Sequence, residues 1–327
     1  MRNTRQFTHL LLVCYALSYA VAGASAQAPV GVTGNPAVDP ASAPDREGAD
    51  DPGFTLNVNV DLVELQVLAV DREGRHVSTL SEGDFVIYED QVEQQISLFR
   101  RNDLPVSLGL VIDNSRSMTR KKDRVDVAAL SFVNHNNPDD ESFLIHFDDT
   151  ARLVQGLTKD VGAIRRALAT IQPYGQTALF DAVGMALETI EAGEHMHRAI
   201  LVITDGADNA SRSTFGDVLE RVRQSDVTLY TIGVFRNPQE EAEARPVLEA
   251  LAGAGGGRAF FPTDPVEVPA LTLQIAQEIR DQYTLGYVPA NFRHDGTWRG
   301  VRVQVRPEAG GRNIQLNYRH GYYAPEE

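Results

Sequence analysis

The chain has 327 residues, of which 43% are hydrophobic, with 30 Lys and Arg against 45 Asp and Glu and a formal net charge of −15. That length and apolar content support a sizeable buried core and about two domains, while the negative charge excludes nucleic acid and anionic membrane surfaces as partners. The single cysteine, Cys14, lies close to the start, so the rest of the chain must fold without disulfides.

Met1-Arg-Asn-Thr-Arg5 is basic, Leu10 to Ala22 is apolar, and Ala24-Ser-Ala26 is a small-residue cleavage signal. Together they make residues 1–26 a secretory signal peptide cut after Ala26. A membrane anchor is the competing reading, but the stretch is short and polar Tyr and Ser interrupt it. Removal of Arg2 and Arg5 with this leader takes the net charge to −17, leaves no membrane span, and implies export to the periplasm or beyond the cell. Residues 27–52 are mostly Ala, Pro, Gly and Asp, too poor in large apolar residues to order themselves, and read as a disordered linker.

Residues 53–104 form a first β segment. Phe54, Leu56, Val58 and Val60 alternate with polar residues, Val63, Leu65 and Val67 continue after a phase change at Leu62, and the change of phase predicts a bulge. Asp71-Arg-Glu-Gly74 is a turn, and Phe85 to Leu98 reads as one hairpin around Glu89 to Gln91.

Residues 105–281 alternate strands (Ser107–Asp113, Ser142–Phe147, Arg152–Gln155, Ala199–Thr204, Thr228–Val234, Ala259–Phe261) with helical patterns (Asp123–Asn134, Val161–Thr170, Ala178–Ala192, Phe215–Gln224, Glu240–Ala252, Val266–Arg280). Such alternation predicts a parallel sheet with helices on both faces. Residues 282–327 return to β alternation at Tyr283–Val288, at Val301, Val303 and Val305, and at Ile314, Leu316 and Tyr318, with Gly310-Gly311 as a hairpin signal between the last two. Neither β segment is self-sufficient. The economical arrangement is one β-sandwich built from both, with the α/β unit inserted between them.

Three loops of the α/β unit carry oxygen-bearing side chains. Asp113, Ser115 and Ser117 follow the first strand at alternate positions, Thr177 opens a helix, and Asp205-Gly206 closes another buried strand. Each could serve singly as a helix cap or turn residue. In an open parallel sheet, however, all three loops lie outside the carboxyl ends of the strands, where ligands bind, and oxygen donors there suit a hard cation such as Mg²⁺.

This pattern resembles the von Willebrand factor type A domain and its metal-ion-dependent adhesion site, D-x-S-x-S followed by a Thr and then an Asp. The resemblance implies a Rossmann-like α/β domain. It also implies that Ser115, Ser117 and Thr177 coordinate the metal directly, with Asp113 and Asp205 acting directly or through water. Arg116 departs from the Gly common at its position. Asp84-Phe-Val-Ile-Tyr-Glu-Asp90, Tyr283-Thr-Leu-Gly-Tyr and Arg319-His-Gly-Tyr-Tyr-Ala324 extend the likeness to the secreted von Willebrand factor A-related proteins of acidobacteria, which usually carry Gly where Gln91 stands.

Other residues weigh less. His195-Met-His197 lacks a third ligand for a softer metal. Asp181 reads either as a first-turn helix acid or as an outer partner near the cation, and Asp208 as a turn residue or as part of a negative rim. Tyr322 and Tyr323 read as packing aromatics at the sandwich end. No G-x-S-x-G elbow or histidine base accompanies the serines. The resulting expectation is a non-enzymatic adhesion module in which a divalent cation, Mg²⁺ or alternatively Mn²⁺ or Ca²⁺, is completed by an Asp or Glu of a protein partner. A metal-dependent hydrolase and a structural envelope protein with a stabilising cation are the alternatives, and oligomeric state is not legible.

Overall fold

The computed structural model describes residues 62–101, 104–135, 137–309 and 313–326. The leader, the linker, the alternation at Phe54–Val60 and the Gly310-Gly311 signal lie outside the described residues. Among those described, no helix is long and apolar enough to cross a membrane.

The N-terminal β segment comprises β1 (Val63–Val70), β2 (Phe85–Glu89), β3 (Val92–Gln94) and β4 (Ile96–Arg100). The α/β unit follows as β5 (Val106–Asp113), α1 (Lys122–Asn134), β6 (Glu141–Phe147), β7 (Ala151–Thr158), α2 (Val161–Thr170), α3 (Leu179–Glu191), β8 (His197–Thr204), α4 (Phe215–Gln224), β9 (Thr228–Gly233), α5 (Pro238–Ala254), β10 (Ala259–Phe260) and α6 (Val268–Arg280). The chain closes with β11 (Tyr283–Tyr287), β12 (Trp298–Val305), β13 (Gln315–Asn317) and β14 (Gly321–Tyr323).

The central sheet has the order β10-β9-β8-β5-β6-β7 and is parallel except at its edge, where β7 runs antiparallel to β6. The short connection at Asp148 to Thr150 explains the exception: a crossover to a parallel strand needs a dozen or more residues, whereas a hairpin needs only a few. β5 and β8 are buried on both faces and therefore read as unbroken apolar runs, yet they still alternate. Leu108, Leu110 and Ile112 with Ala199, Leu201 and Ile203 pack toward α1 and α6, while Val111, Ile200 and Val202 pack toward α3 and α4. Truncation of a wholly buried side chain such as Leu110 costs about 2–5 kcal/mol.

The flanking segments interleave as expected, in two antiparallel sheets ordered β13-β1-β11-β4 and β14-β12-β2-β3. Val63, Leu65 and Val67 stand opposite Tyr287, Leu285 and Tyr283, and Val303 and Val305 stand opposite Ile87 and Phe85. These residues form the sandwich core.

Two local expectations need correction. The Phe85–Leu98 run is not one hairpin: β3 stays with β2, and after Gln95 the chain passes to the other sheet as β4 beside β11. The strands before and after Gly310-Gly311 do not pair with each other, because β12 lies beside β2 and β14 while β13 lies beside β1. At the β2–β3 turn Asp90 and Gln91 both take positive φ, 45° and 70°. That is the two-residue turn whose twist suits a hairpin, which explains the usual glycine. Asp90 helps hold it by accepting a hydrogen bond from Gly300 N at 2.9 Å.

Candidate metal site

β5 and β8 are neighbours in parallel register, with Ile112 opposite Ile203. The next residues along each strand therefore emerge side by side at the carboxyl edge. Asp113 Oδ2 accepts from Thr204 Oγ1 at 2.6 Å and from Asp205 N at 3.4 Å, and its Oδ1 accepts from Ser115 N at 2.8 Å. Thr204, the last residue of β8 and without a motif signal of its own, thus orients the first carboxylate. Burial, and secondarily the charge of Asp205, pushes the Asp113 carboxyl up to about 6.

The chain beyond Asp113 forms a 3₁₀ turn at Arg116–Arg120 before α1. This turn points both serine hydroxyls the same way. Ser115 Oγ is 2.9 Å from Ser117 Oγ, and Ser117 Oγ donates to Asp205 Oδ1 at 2.6 Å. Asp113, Ser115, Ser117 and Asp205 therefore lie in one hydrogen-bonded chain, and all but Ser117 are 2% exposed or less.

Thr177 comes from the loop before α3. Its N–H donates to Asn209 Oδ1 at 2.9 Å and its carbonyl accepts from Asn209 N at 3.0 Å, which ties it to the Asp205 loop. A Cβ added to Gly206 would lie 3.8 Å from Thr177 Oγ1, so this hydroxyl stands next to Gly206. The Thr177 loop is tied to the first loop as well, through Tyr174 N to Asn114 O at 2.8 Å and Asn114 Nδ2 to Gln172 O at 2.6 Å. Gly175 has φ +73°, and a Cβ there would come within 2.7 Å of the Asp149 carboxyl. Only glycine meets both conditions.

Asp181 and Asp208 engage the loop before α4. Asp181 accepts from Arg212 N and Ser213 N, each at 3.0 Å. Burial works to raise its pKa, but these N–H donors outweigh it and hold the carboxyl below its ordinary value. Asp208 accepts from Phe180 N at 3.1 Å and from Ser211 Oγ at 2.5 Å. Asp181 thus ties α3 to the loop before α4, and Asp208 accepts from the first turn of α3. His195 and His197 lie at the opposite, amino-terminal end of β8, with ring nitrogens 3.0 Å from Asp139 O and Gln282 Oε1 respectively. Tyr322 packs at the sandwich end and donates to the buried Glu89 at 2.8 Å, and Tyr323 meets Trp298 edge-on at 5.0 Å.

Sequence reading passed over Lys121. It is 5% exposed, and its ammonium donates to Asp205 Oδ2 at 2.7 Å and to the Val234 carbonyl at 2.5 Å. Its setting in Thr119-Arg-Lys-Lys122 gives the look of a solvated basic run, and only closure of the fold places Val234 beside it.

The donor set consists of oxygen alone: two carboxylates and three hydroxyls from three loops. Among the described residues, no group of three or more His, Cys, Asp or Glu side chains is arranged to hold a metal. A set with two acids and three neutral hydroxyls suits a hard cation that keeps water or a partner's atom in its shell.

Residues 108–207 match the family model of the von Willebrand factor type A domain, a stretch that contains all five candidate ligands. The α/β unit has the von Willebrand factor A fold. Similar solved structures include a von Willebrand factor type A protein of Catenulispora acidiphila, 13% identical over 82% of this chain and 74% of that one, with a TM-score of 0.48. The vWF domain of the type V pili tip protein Mfa5 of Porphyromonas gingivalis is 15% identical over 54% and 95% of the two chains, with a TM-score of 0.46. Proximal thread matrix protein 1 of the mussel byssus, with a zinc-occupied MIDAS motif, is 18% identical over 57% and 48%, at 0.48. Comparison with curated proteins finds no match. In the α/β unit, sheet register brings the two acids together, the 3₁₀ turn carries the two serine hydroxyls, and backbone bonds to Asn209 hold the Thr177 loop beside them.

Proposed function

We propose that the protein is an exported, non-enzymatic interaction module whose A-type domain binds an acidic group of a protein partner through a divalent cation. One observation carries this reading: Ser115, Ser117 and Asp205 are joined by contacts of 2.9 and 2.6 Å, and Asp113 is held against them by Ser115 N at 2.8 Å. The hard oxygen donors favour Mg²⁺, with Mn²⁺ or Ca²⁺ as alternatives. When bound, the cation supplies a Lewis-acidic centre for a carboxylate.

The residues of the chain divide that task. Asp113 and Asp205 provide the anionic charge that holds a cation at a buried edge. Ser115, Ser117 and Thr177 contribute oxygens without formal charge, so the centre stays electropositive toward an incoming Asp or Glu. Thr177 rides on a loop separate from the serines, so its oxygen can meet the cation independently of theirs. Export rests on the leader pattern of residues 1–26.

The test is capture from envelope extract by the immobilised mature chain, in Mg²⁺ and in EDTA, with Asp113→Asn as control. A protein retained in Mg²⁺ and lost both in EDTA and with the variant is the expected result. Capture indifferent to both would refute the reading.

A further inference from the structure

Lys121 links two loops of the candidate site to a third connection beside them. It belongs to the β5–α1 connection, bonds Asp205 of the β8–α4 connection, and bonds the Val234 carbonyl of the β9–α5 connection. An ammonium this buried is costly unless paired, and here it lies 2.7 Å from a carboxylate oxygen whose side chain is wholly buried. Asp205 is thus engaged on both oxygens, Oδ1 by Ser117 and Oδ2 by Lys121.

The consequence is one of charge. With both carboxylates ionised, Asp113 and Asp205 contribute two negative charges and Lys121 removes one. Arg236 and Glu240, which lie in reach of these charges, pair with each other at 2.6 Å and cancel, so a divalent cation meets a protein site of net −1 and leaves it at +1, where the two acids alone would leave it neutral. Like-charge repulsion at such short range in a poorly hydrated edge is large.

We infer that Lys121 is a built-in counter-charge that weakens cation binding on its own and couples it to an anionic ligand, so that the site loads well only when a carboxylate arrives with the metal. This rests on the metal-binding reading above. Lys121 is then a positioning residue: it fixes Asp205 and sets the charge of the loaded site without touching the partner. A merely structural lysine makes a different forecast, since its removal would lower stability and leave metal affinity unchanged or reduced.

The experiment measures Mn²⁺ binding to the full mature chain by electron paramagnetic resonance, with and without propionate as the carboxylate probe. The proteins are wild type, Lys121→Met, Asp113→Asn, and Lys121→Gln as a companion that keeps an N–H donor for Val234 and Asp205 without the charge. The expected result is that Lys121→Met and Lys121→Gln bind Mn²⁺ at least about tenfold more tightly than wild type, and that propionate strengthens Mn²⁺ binding in wild type but not in either variant. Wild-type binding that Asp113→Asn abolishes but neither Lys121 variant strengthens would overturn this inference and leave the metal site standing. No Mn²⁺ binding by wild type, with or without propionate, would overturn both.

Discussion

Ser117 Oγ stands 2.6 Å from Asp205 Oδ1, so two side chains 88 positions apart meet over the carboxyl edge of the sheet. The meeting depends on the 3₁₀ turn that carries Ser117 inward and on the β5–β8 register that places Asp205 beside Asp113. Neither residue alone distinguishes a cation site from a capped helix. Their contact, with Lys121 on the other Asp205 oxygen, joins the loops after β5 and β8 into one buried polar cluster.

Thr177→Ala is expected to weaken capture of the partner more than it weakens cation binding. The fold should persist, because Thr177 is pinned to Asn209 through its backbone and only the hydroxyl and methyl are lost. Calorimetric cation titration beside quantitative capture separates the two effects, and equal losses would contradict the role given to this loop.

Gly175→Ala is expected to destabilise by about 1–3 kcal/mol, the cost of a strained left-handed backbone. A clash with the Asp149 carboxyl, 2.7 Å from the added Cβ, would displace Thr177 as well. Denaturant unfolding measures the first effect. Partner capture should fall with it, and a variant of wild-type stability and capture would show that the loop can relax.

Asp181→Asn should destabilise by about 1–2 kcal/mol at neutral pH, since it weakens charge-assisted bonds from Arg212 N and Ser213 N. The folded carboxyl titrates below its ordinary 3.8, so its contribution is present above that value and is lost as pH falls through the folded value. The wild-type advantage over the variant should therefore be constant from pH 7 to pH 5 and disappear in more acidic solution. An advantage that grows on acidification would contradict the sign.

The class of fold was legible because buried parallel strands are continuous apolar runs and surface helices are periodic, and both patterns survive in β5, β8 and α3 without help from long-range contacts. Interleaving of the flanks followed from the fact that neither could bury its apolar face alone. The choice of sheet for β4 and β13 was not legible, because alternation marks a buried face without naming the strand that pairs beside it. Gln91 shows the same limit at a turn: its side chain gives no sign of a φ that the hairpin imposes. The motif identified Asp113, Ser115, Ser117, Thr177 and Asp205 as residue types at a spacing. Lys121 and Thr204 carried no such signal, since what matters in each is a partner brought from another loop or strand.

Calorimetric titration of Mg²⁺ and Mn²⁺ into residues 27–327 and their Asp113→Asn variant, with propionate present, decides whether these oxygens hold a divalent cation. Asparagine keeps the shape of the buried side chain and an acceptor for Ser115 N, while the Thr204 hydroxyl can donate to the Gly206 carbonyl and accept from the new amide, so the variant should fold. One saturable site is expected in the wild type and none in the folded variant, with a thermal midpoint that rises with cation concentration only in the wild type. Equal cation affinity in two well-folded proteins, or no binding by the wild type, would contradict the site.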